Sequence, residues 1–96
     1  MEDLNELVVR CAMYREGELQ TYYDFDIEGI ERNLQWFEGA VDDETSDKVR
    51  IILYRDGRKV TSWNTPVDRD FKEFIENVIE ELVDERFVWG VKQAND

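Results

Sequence analysis

Residues 49–57 read Val-Arg-Ile-Ile-Leu-Tyr-Arg-Asp-Gly, and residues 9–17 read Val-Arg-Cys-Ala-Met-Tyr-Arg-Glu-Gly. In both stretches a run of apolar and aromatic residues ends in an acidic residue followed by glycine. Such a pair fits the two central positions of a tight hairpin turn, where the backbone needs positive φ angles. Each stretch therefore predicts a strand that turns back into a second strand.

A helical pattern follows each predicted hairpin. Apolar residues recur at spacings of three and four over residues 27–41 and again over residues 67–83. We therefore expect two units of strand, turn, strand and helix, at about 7–41 and 48–85, joined by an acidic linker at 42–47. A repeat of this kind is typical of an internal duplication.

The simplest fold that buries both apolar helix stripes places two helices on one face of a four-stranded, mainly antiparallel sheet. The sequence thus predicts an α+β two-layer fold (ββαββα) as a single domain over residues 1–96. Thr65 and Pro66 fit the N-cap and first position of the second helix. Residues 86–96 are expected to form a short extra strand or a docked tail.

Two-residue turns fix the cross-strand pairs by counting from the turn. In the first hairpin Arg10 then faces Tyr23, and in the second Arg50 faces Trp63. Each arginine is expected to stack on the ring opposite it. A β-bulge in the first hairpin would alter its register.

These pairs predict an aromatic and arginine-rich patch on the sheet face that points away from the helices. Such a composition is typical of protein interfaces, and two interpretations remain open: cross-strand stabilisation alone, or a homodimer or partner surface. The residues predicted to form this patch are Arg10, Tyr14, Tyr23, Arg50, Ile52, Tyr54 and Trp63.

The charge of the chain is unevenly distributed. It holds 24 Asp and Glu against 12 Lys and Arg, a formal net charge of -12. Residues 24–47 contain nine acids and one base, and residues 68–85 contain eight acids and two bases. Residues 48–67 instead contain five bases and one acid. The helical layer is therefore predicted to be strongly negative and the second hairpin positive.

An acidic helical layer has two interpretations. It is either a solvated surface, or a recognition surface for a basic protein, in the extreme case imitating the charge of duplex DNA. Small phage inhibitors of restriction or CRISPR systems share this charge and size, though no motif links the chain to them. The residues predicted to form the acidic face are Asp42, Asp43, Glu44, Asp47, Glu73, Glu76, Glu80 and Asp84.

Side chains for catalysis are sparse. The chain has no histidine, and Ser46 and Ser62 are its only serines. Cys11 lies in the middle of a predicted strand, where core packing is expected. The linker carboxylates lack the spacing and central glycine of a calcium loop. We therefore expect a non-enzyme with no catalytic, cofactor or metal site.

Composition also narrows the partners and the location. Direct binding to nucleic acid is not expected at this net charge, and no apolar run is long enough for a membrane span. A lone cysteine fits a reducing, cytoplasmic environment. Three alternatives stay open beside a basic-enzyme inhibitor. They are a toxin-immunity or antitoxin protein, a small enzyme or ligand-binding domain with an unrecognised site, and a halophile protein acidic for solvation alone.

Overall fold

The computed structural model describes residues 6–87, which form one antiparallel sheet and two helices. The strands lie in the order β2-β1-β3-β4, so the predicted α+β class is confirmed. Along the chain the elements are β1 (Leu7–Arg15), β2 (Glu18–Phe25), α1 (Ile27–Asp43), β3 (Lys48–Arg55), β4 (Arg58–Pro66) and α2 (Phe71–Phe87).

Both hairpin turns have the predicted form. Glu16 and Gly17 adopt φ angles of 54° and 82°, and Asp56 and Gly57 adopt 52° and 85°. Two successive residues with positive φ make a turn whose twist matches that of the flanking strands. Glycine at the second position accepts this conformation without steric cost.

Each hairpin contains a β-bulge, and the predicted cross-strand pairs beyond it are wrong by one residue. Next to the turns Tyr14 pairs with Leu19 and Tyr54 with Lys59, as counting predicts. The register then shifts between Met13 and Tyr14 in β1, and at the corresponding place in β3. Because side chains alternate along a strand, one extra residue moves every later side chain of β2 and β4 to the other face.

The shift places two large aromatic residues on the helix side of the sheet. Tyr23 pairs with Cys11 and Trp63 with Ile51, and both aromatic side chains pack against the core. Burying their apolar area favours this register over one that would leave both rings on the outer face.

The core lies between the sheet and both helices. From the sheet, the inward-facing residues of the two central strands contribute Val9, Cys11, Met13, Val49, Ile51 and Leu53. From the helices it receives Ile27, Ile30, Phe37, Val41, Phe71, Ile75, Val78, Ile79 and Leu82. Both predicted helical stripes are thereby confirmed as core-facing, with Leu34, Phe74 and Val83 at its edge.

The first helix begins as predicted and ends later. The side chain of Asp26 is its N-cap and accepts a hydrogen bond from the backbone N–H of Gly29. The helix continues through Asp43, so the first two residues of the predicted linker belong to its last turn. Glu44 is the C-cap, and its N–H donates to the carbonyl of Ala40.

The predicted start of the second helix is wrong. Thr65 and Pro66 continue β4 and pair with Val49 and Lys48, so the helix begins only at Phe71. The Thr65 side chain is buried on the core side of the sheet, and the strand pairing takes precedence over the local capping pattern. Where β4 ends, the N–H of Val67 donates to the carbonyl of Asp47.

Two further predictions concern the organisation of the chain. The order of strands and helices does not by itself establish a duplication, so the tandem repeat stays a prediction. In the predicted tail, positions 86 and 87 belong to α2, and residues 88–96 lie outside the described residues.

Candidate protein-interaction surfaces

A groove with a volume of about 380 Å³ runs between α1 and α2. Its apolar floor is formed by Leu34, Ile79 and Val83. Carboxylates border the floor, and none of the described residues that line the groove is basic. These carboxylates belong to Glu31, Glu76, Glu80 and Asp84; together with the floor they form what we call the acidic groove.

The groove gathers three of the eight carboxylates predicted for the acidic face. Glu76, Glu80 and Asp84 follow one another at spacings of four along α2. A spacing of four in a helix corresponds to a rise of about 6 Å. The other five predicted residues are also exposed but do not line the groove.

Glu31 belongs to the groove and was missed by the sequence argument. It follows the buried Ile30 and lies three residues before Leu34, on the border of the apolar stripe of α1. A residue at that position of an amphipathic helix faces the neighbouring helix. Helical position, rather than the density of charge along the chain, was therefore the available signal.

A second missed carboxyl, that of Glu38, lies between the helices. Glu38 is 7% exposed, and its side chain forms a hydrogen bond with that of Glu76. Its other oxygen, Oε2, is buried without a hydrogen-bond partner. Burial, the bond to Glu76 and the negative charge of that residue raise the pKa of Glu38 to about 7.

Two further residues of the predicted acidic face, besides Glu76, have structural roles. Asp42 forms an ion pair with Lys72 across the two helices, with the Lys72 Nζ 3.4 Å from Oδ2. Asp47 accepts a hydrogen bond from the backbone N–H of Glu16, and its own N–H donates to the carbonyl of Tyr14. Asp47 therefore ties the helix–strand connection to the first turn, away from the acidic groove.

The opposite surface is the sheet face that points away from the helices, which we call the open face. Tyr23 and Trp63 were predicted to lie on it and do not, because of the two bulges. The other five predicted residues do lie on it. Strand pairing places Val8, Arg10, Ala12, Tyr14, Leu19, Tyr22, Asp24, Lys48, Arg50, Ile52, Tyr54, Lys59, Ser62 and Asn64 on the open face.

Arg10 is at the centre of a network on the open face. Its guanidinium donates two hydrogen bonds to Asp24, at 2.8 and 3.1 Å, and lies 4.1 Å from the ring centroid of Tyr22. The ring of Tyr54 lies 5.1 Å away on the next strand. The bond to Asp24 is the main cause that raises the pKa of Arg10. The contacts of Arg10 with Asp24, Tyr22 and Tyr54 thus replace the predicted contact with Tyr23.

Arg50 lies on the same face, and its neighbours on the adjacent strands are Ala12 and Asn64, neither of which is acidic. The predicted contact with Trp63 is absent because that ring lies on the other side of the sheet. Its Nε atom is buried and has no hydrogen-bond partner. Lys48, two residues earlier on β3, places its Nζ 4.8 Å from the ring centroid of Tyr14. The open face therefore holds an arginine with an unpaired Nε beside a lysine.

The one cysteine of the chain, Cys11, is buried in the core. Burial raises the pKa of the Cys11 thiol, which disfavours the nucleophilic thiolate. No group of three or more Cys, Asp or Glu residues in the described part is arranged to hold a metal ion. Within residues 6–87 no helix has the length and apolarity of a membrane span.

Comparison with known proteins gives no relative. No protein-family model, curated protein or solved structure matches this chain. Functional conclusions for it therefore rest on the two surfaces described above.

Proposed function

We propose that this protein is a non-catalytic interaction module whose acidic groove binds a basic segment of another protein. The observation that supports this most directly is the composition of the groove, in which four carboxylates border an apolar floor. A merely solvated helix surface needs no apolar floor between its charges. A groove of this kind fits a helix with apolar residues on one side and flanking Lys or Arg.

The geometry favours a short basic segment over an imitation of long duplex DNA. Two rows of evenly spaced carboxylates are needed to reproduce the charge density of a duplex. In the row on α1, Glu38 has a raised pKa and Asp42 is paired with Lys72. That row therefore carries less free negative charge than the sequence suggests.

The narrower form of the proposal is that the partner is a nucleic-acid-binding enzyme that the protein inhibits, as a phage anti-defence protein does. Enzymes of that class present basic surfaces, which gives them the charge that the groove requires. An immunity or antitoxin role would use the same surface against a toxin. A cytoplasmic location, expected from the lone Cys11, belongs to the same proposal.

The groove is tested with a synthetic amphipathic helix that carries Lys at every fourth residue beside a Leu stripe. Reversal of Glu31, Glu80 and Asp84 to lysine, which spares Glu76 and its bond to Glu38, should weaken binding by about tenfold or more in fluorescence anisotropy. Wild-type affinity should also fall steeply as salt rises from about 50 to 200 mM.

The matched control reverses Glu6, Glu16 and Glu18, three exposed carboxylates outside the groove, so that both variants have the same net charge. Equal losses in the two variants would show that only total charge matters, and the groove would then have no specific role. The inhibitor form is tested separately, by displacement of labelled duplex DNA from basic nucleases.

We also propose that the two halves derive from a duplication. Their turns share positive φ at Glu16 and Asp56, and their bulges follow the corresponding residues Met13 and Leu53. If so, the two halves of some related sequences should resemble each other more closely than the two halves of this chain do. Relatives in which only one half has this pattern would contradict it.

A further inference from the structure

We infer that the open face is a second binding surface, and that it takes an acidic amphipathic helix of a partner protein whose carboxylate pairs with Arg50. This inference does not rest on the function proposed for the acidic groove, since the two surfaces lie on opposite sides of the molecule.

The first support is charge. Among the strand residues that the pairing places on it, the open face carries Arg10, Lys48, Arg50 and Lys59 against one acid, Asp24, although the chain as a whole has a net charge of -12. This local excess of positive charge lies on a surface that no described helix covers. It complements a negatively charged partner.

The second support is the state of Arg50. The Arg10 guanidinium is bound by Asp24, whereas the Arg50 Nε is buried and unpaired. A buried donor without a partner is unfavourable relative to a satisfied one. Arg50 as a whole is only half-buried. A planar guanidinium matches the two oxygens of a carboxylate, so a partner's Asp or Glu would supply the acceptor that Nε lacks once the side chain turns toward it.

The third support is the spacing of the cations and the apolar surface around them. Lys48 and Arg50 are two residues apart on β3, which corresponds to about 7 Å. Carboxylates four residues apart on a helix are separated by about 6 Å, so one helix face reaches both cations. Leu19 and Tyr22, 50% and 45% exposed, offer apolar area to the same helix.

Two other occupants fit less well. A single-stranded nucleic acid would stack its bases on aromatic faces, but Arg10 lies over Tyr22 and Tyr54 and Lys48 lies over Tyr14. A second copy packed sheet to sheet would bring two positive surfaces together. An acidic helix meets neither obstacle.

The test uses a fluorescein-labelled peptide of about 16 residues, roughly 24 Å as a helix, with Glu at every fourth residue beside a Leu stripe. Arg50→Glu should raise its Kd by about tenfold or more. The matched control Arg69→Glu makes the same charge change at an exposed loop residue and should alter Kd less than about twofold. Arg50→Lys, which keeps the charge and loses the planar fork, should raise Kd by about threefold.

Arg50→Gln is a neutral second variant in case the reversal unfolds the protein, and circular dichroism checks both. Equal Kd values for Arg50→Glu and Arg69→Glu would overturn the inference, as would equal binding of the peptide with Gln in place of Glu. So would tighter, Arg50-dependent binding of an oligothymidylate, or self-association in sedimentation that Arg50→Glu abolishes. Replacement of Glu31, Glu80 and Asp84 by Gln, Gln and Asn removes the groove charges without creating a basic site, and it should leave the peptide bound, which separates this test from that of the groove.

Discussion

The carboxyl groups of Glu38 on α1 and Glu76 on α2 are joined by a hydrogen bond across the helix interface. Two ionised carboxylates cannot share such a bond, so protonated Glu38 donates to Glu76. The pKa of Glu38 is raised from its ordinary 4.5 to about 7 because of burial, this bond and the charge of Glu76. Near neutral pH the charge between the two helices therefore changes with the protonation of Glu38.

The free energy of unfolding should fall as pH rises through this window. The folded state keeps the proton of Glu38 up to about pH 7, and the unfolded state loses it near pH 4.5. The stabilisation that Glu38 contributes is thus fully present below about pH 4.5 and is lost as pH rises above about 7. Glu38→Gln keeps a donor without a charge, and should stabilise the protein by about 1–2 kcal/mol at pH 8 and little at pH 4.5.

Urea unfolding of both proteins across this pH range measures the effect. Glu80→Gln is the control, because it neutralises an exposed glutamate that lies one helical turn from Glu76. If the free energies of unfolding of wild type and Glu38→Gln differ by the same amount at every pH, Glu38 does not titrate in this window.

Two glycines of α1 should respond to alanine in opposite directions. Gly39 is exposed, and an added Cβ meets no atom within 4 Å, so Gly39→Ala should stabilise the protein by about 0.5–1 kcal/mol through helix propensity. At Gly29 an added Cβ would lie 2.7 Å from Oδ1 of Asp26, the N-cap oxygen. Loss of the cap should cost about 1–2 kcal/mol and outweigh the gain in helix propensity, so Gly29→Ala should destabilise the protein by about 0.5–1 kcal/mol.

Thermal and urea unfolding of the two variants measure whether each substitution raises or lowers the free energy of unfolding. Asp26→Ala in the Gly29→Ala background separates the mechanisms: if the clash with the cap is the cause, the second change should cost little more. A large additional loss would mean that the cap survives in Gly29→Ala.

Local features were predictable from the sequence, and features set by long-range packing were not. The turns at Gly17 and Gly57 depend on two residues each, and the helix stripes depend on spacing along one element. The bulges have no such local signature. They arise because Tyr23 and Trp63 gain more by packing against the helices than a regular ladder would provide.

The candidate surfaces follow the same division. Counting charges along the chain showed that the helices are rich in acidic residues. It did not show which of these residues lie next to one another in the structure. Glu31 and Glu38 lie seven residues apart on the side of α1 that faces α2, so helical position would have identified them. The ion pair between Asp42 and Lys72 depends on how the two helices are aligned, which no local pattern specifies.

Cys11 should be unreactive in the native protein. Its side chain is fully buried in the core, and burial raises the pKa of its thiol, so both access and the thiolate fraction are low. Reaction with Ellman's reagent should follow global unfolding in urea. In Glu18→Cys, which adds an exposed thiol, one of the two thiols should react at once. Rapid reaction of both in native buffer would contradict the buried position of Cys11.

Arg10 should stabilise the sheet more than the ion pair alone accounts for. Its pair with Asp24 has side chains 33% and 39% exposed, and such a pair contributes about 0.5 kcal/mol. Arg10 also lies over Tyr22 and Tyr54, which adds about 0.5–1 kcal/mol for an exposed contact with a ring. Arg10→Ala should therefore cost about 1–2 kcal/mol and Asp24→Ala about 0.5 kcal/mol.

A double-mutant cycle between Arg10→Ala and Tyr22→Leu isolates the contribution of the ring, with urea unfolding as the measurement. The expected coupling is about 0.5 kcal/mol, because the guanidinium lies 4.1 Å from the Tyr22 centroid. The same cycle with Tyr23, whose ring lies on the other face of the sheet, should show no coupling. Coupling to Tyr23 instead of Tyr22 would indicate that the hairpin has the regular register, without the bulge that places Tyr22 on the open face.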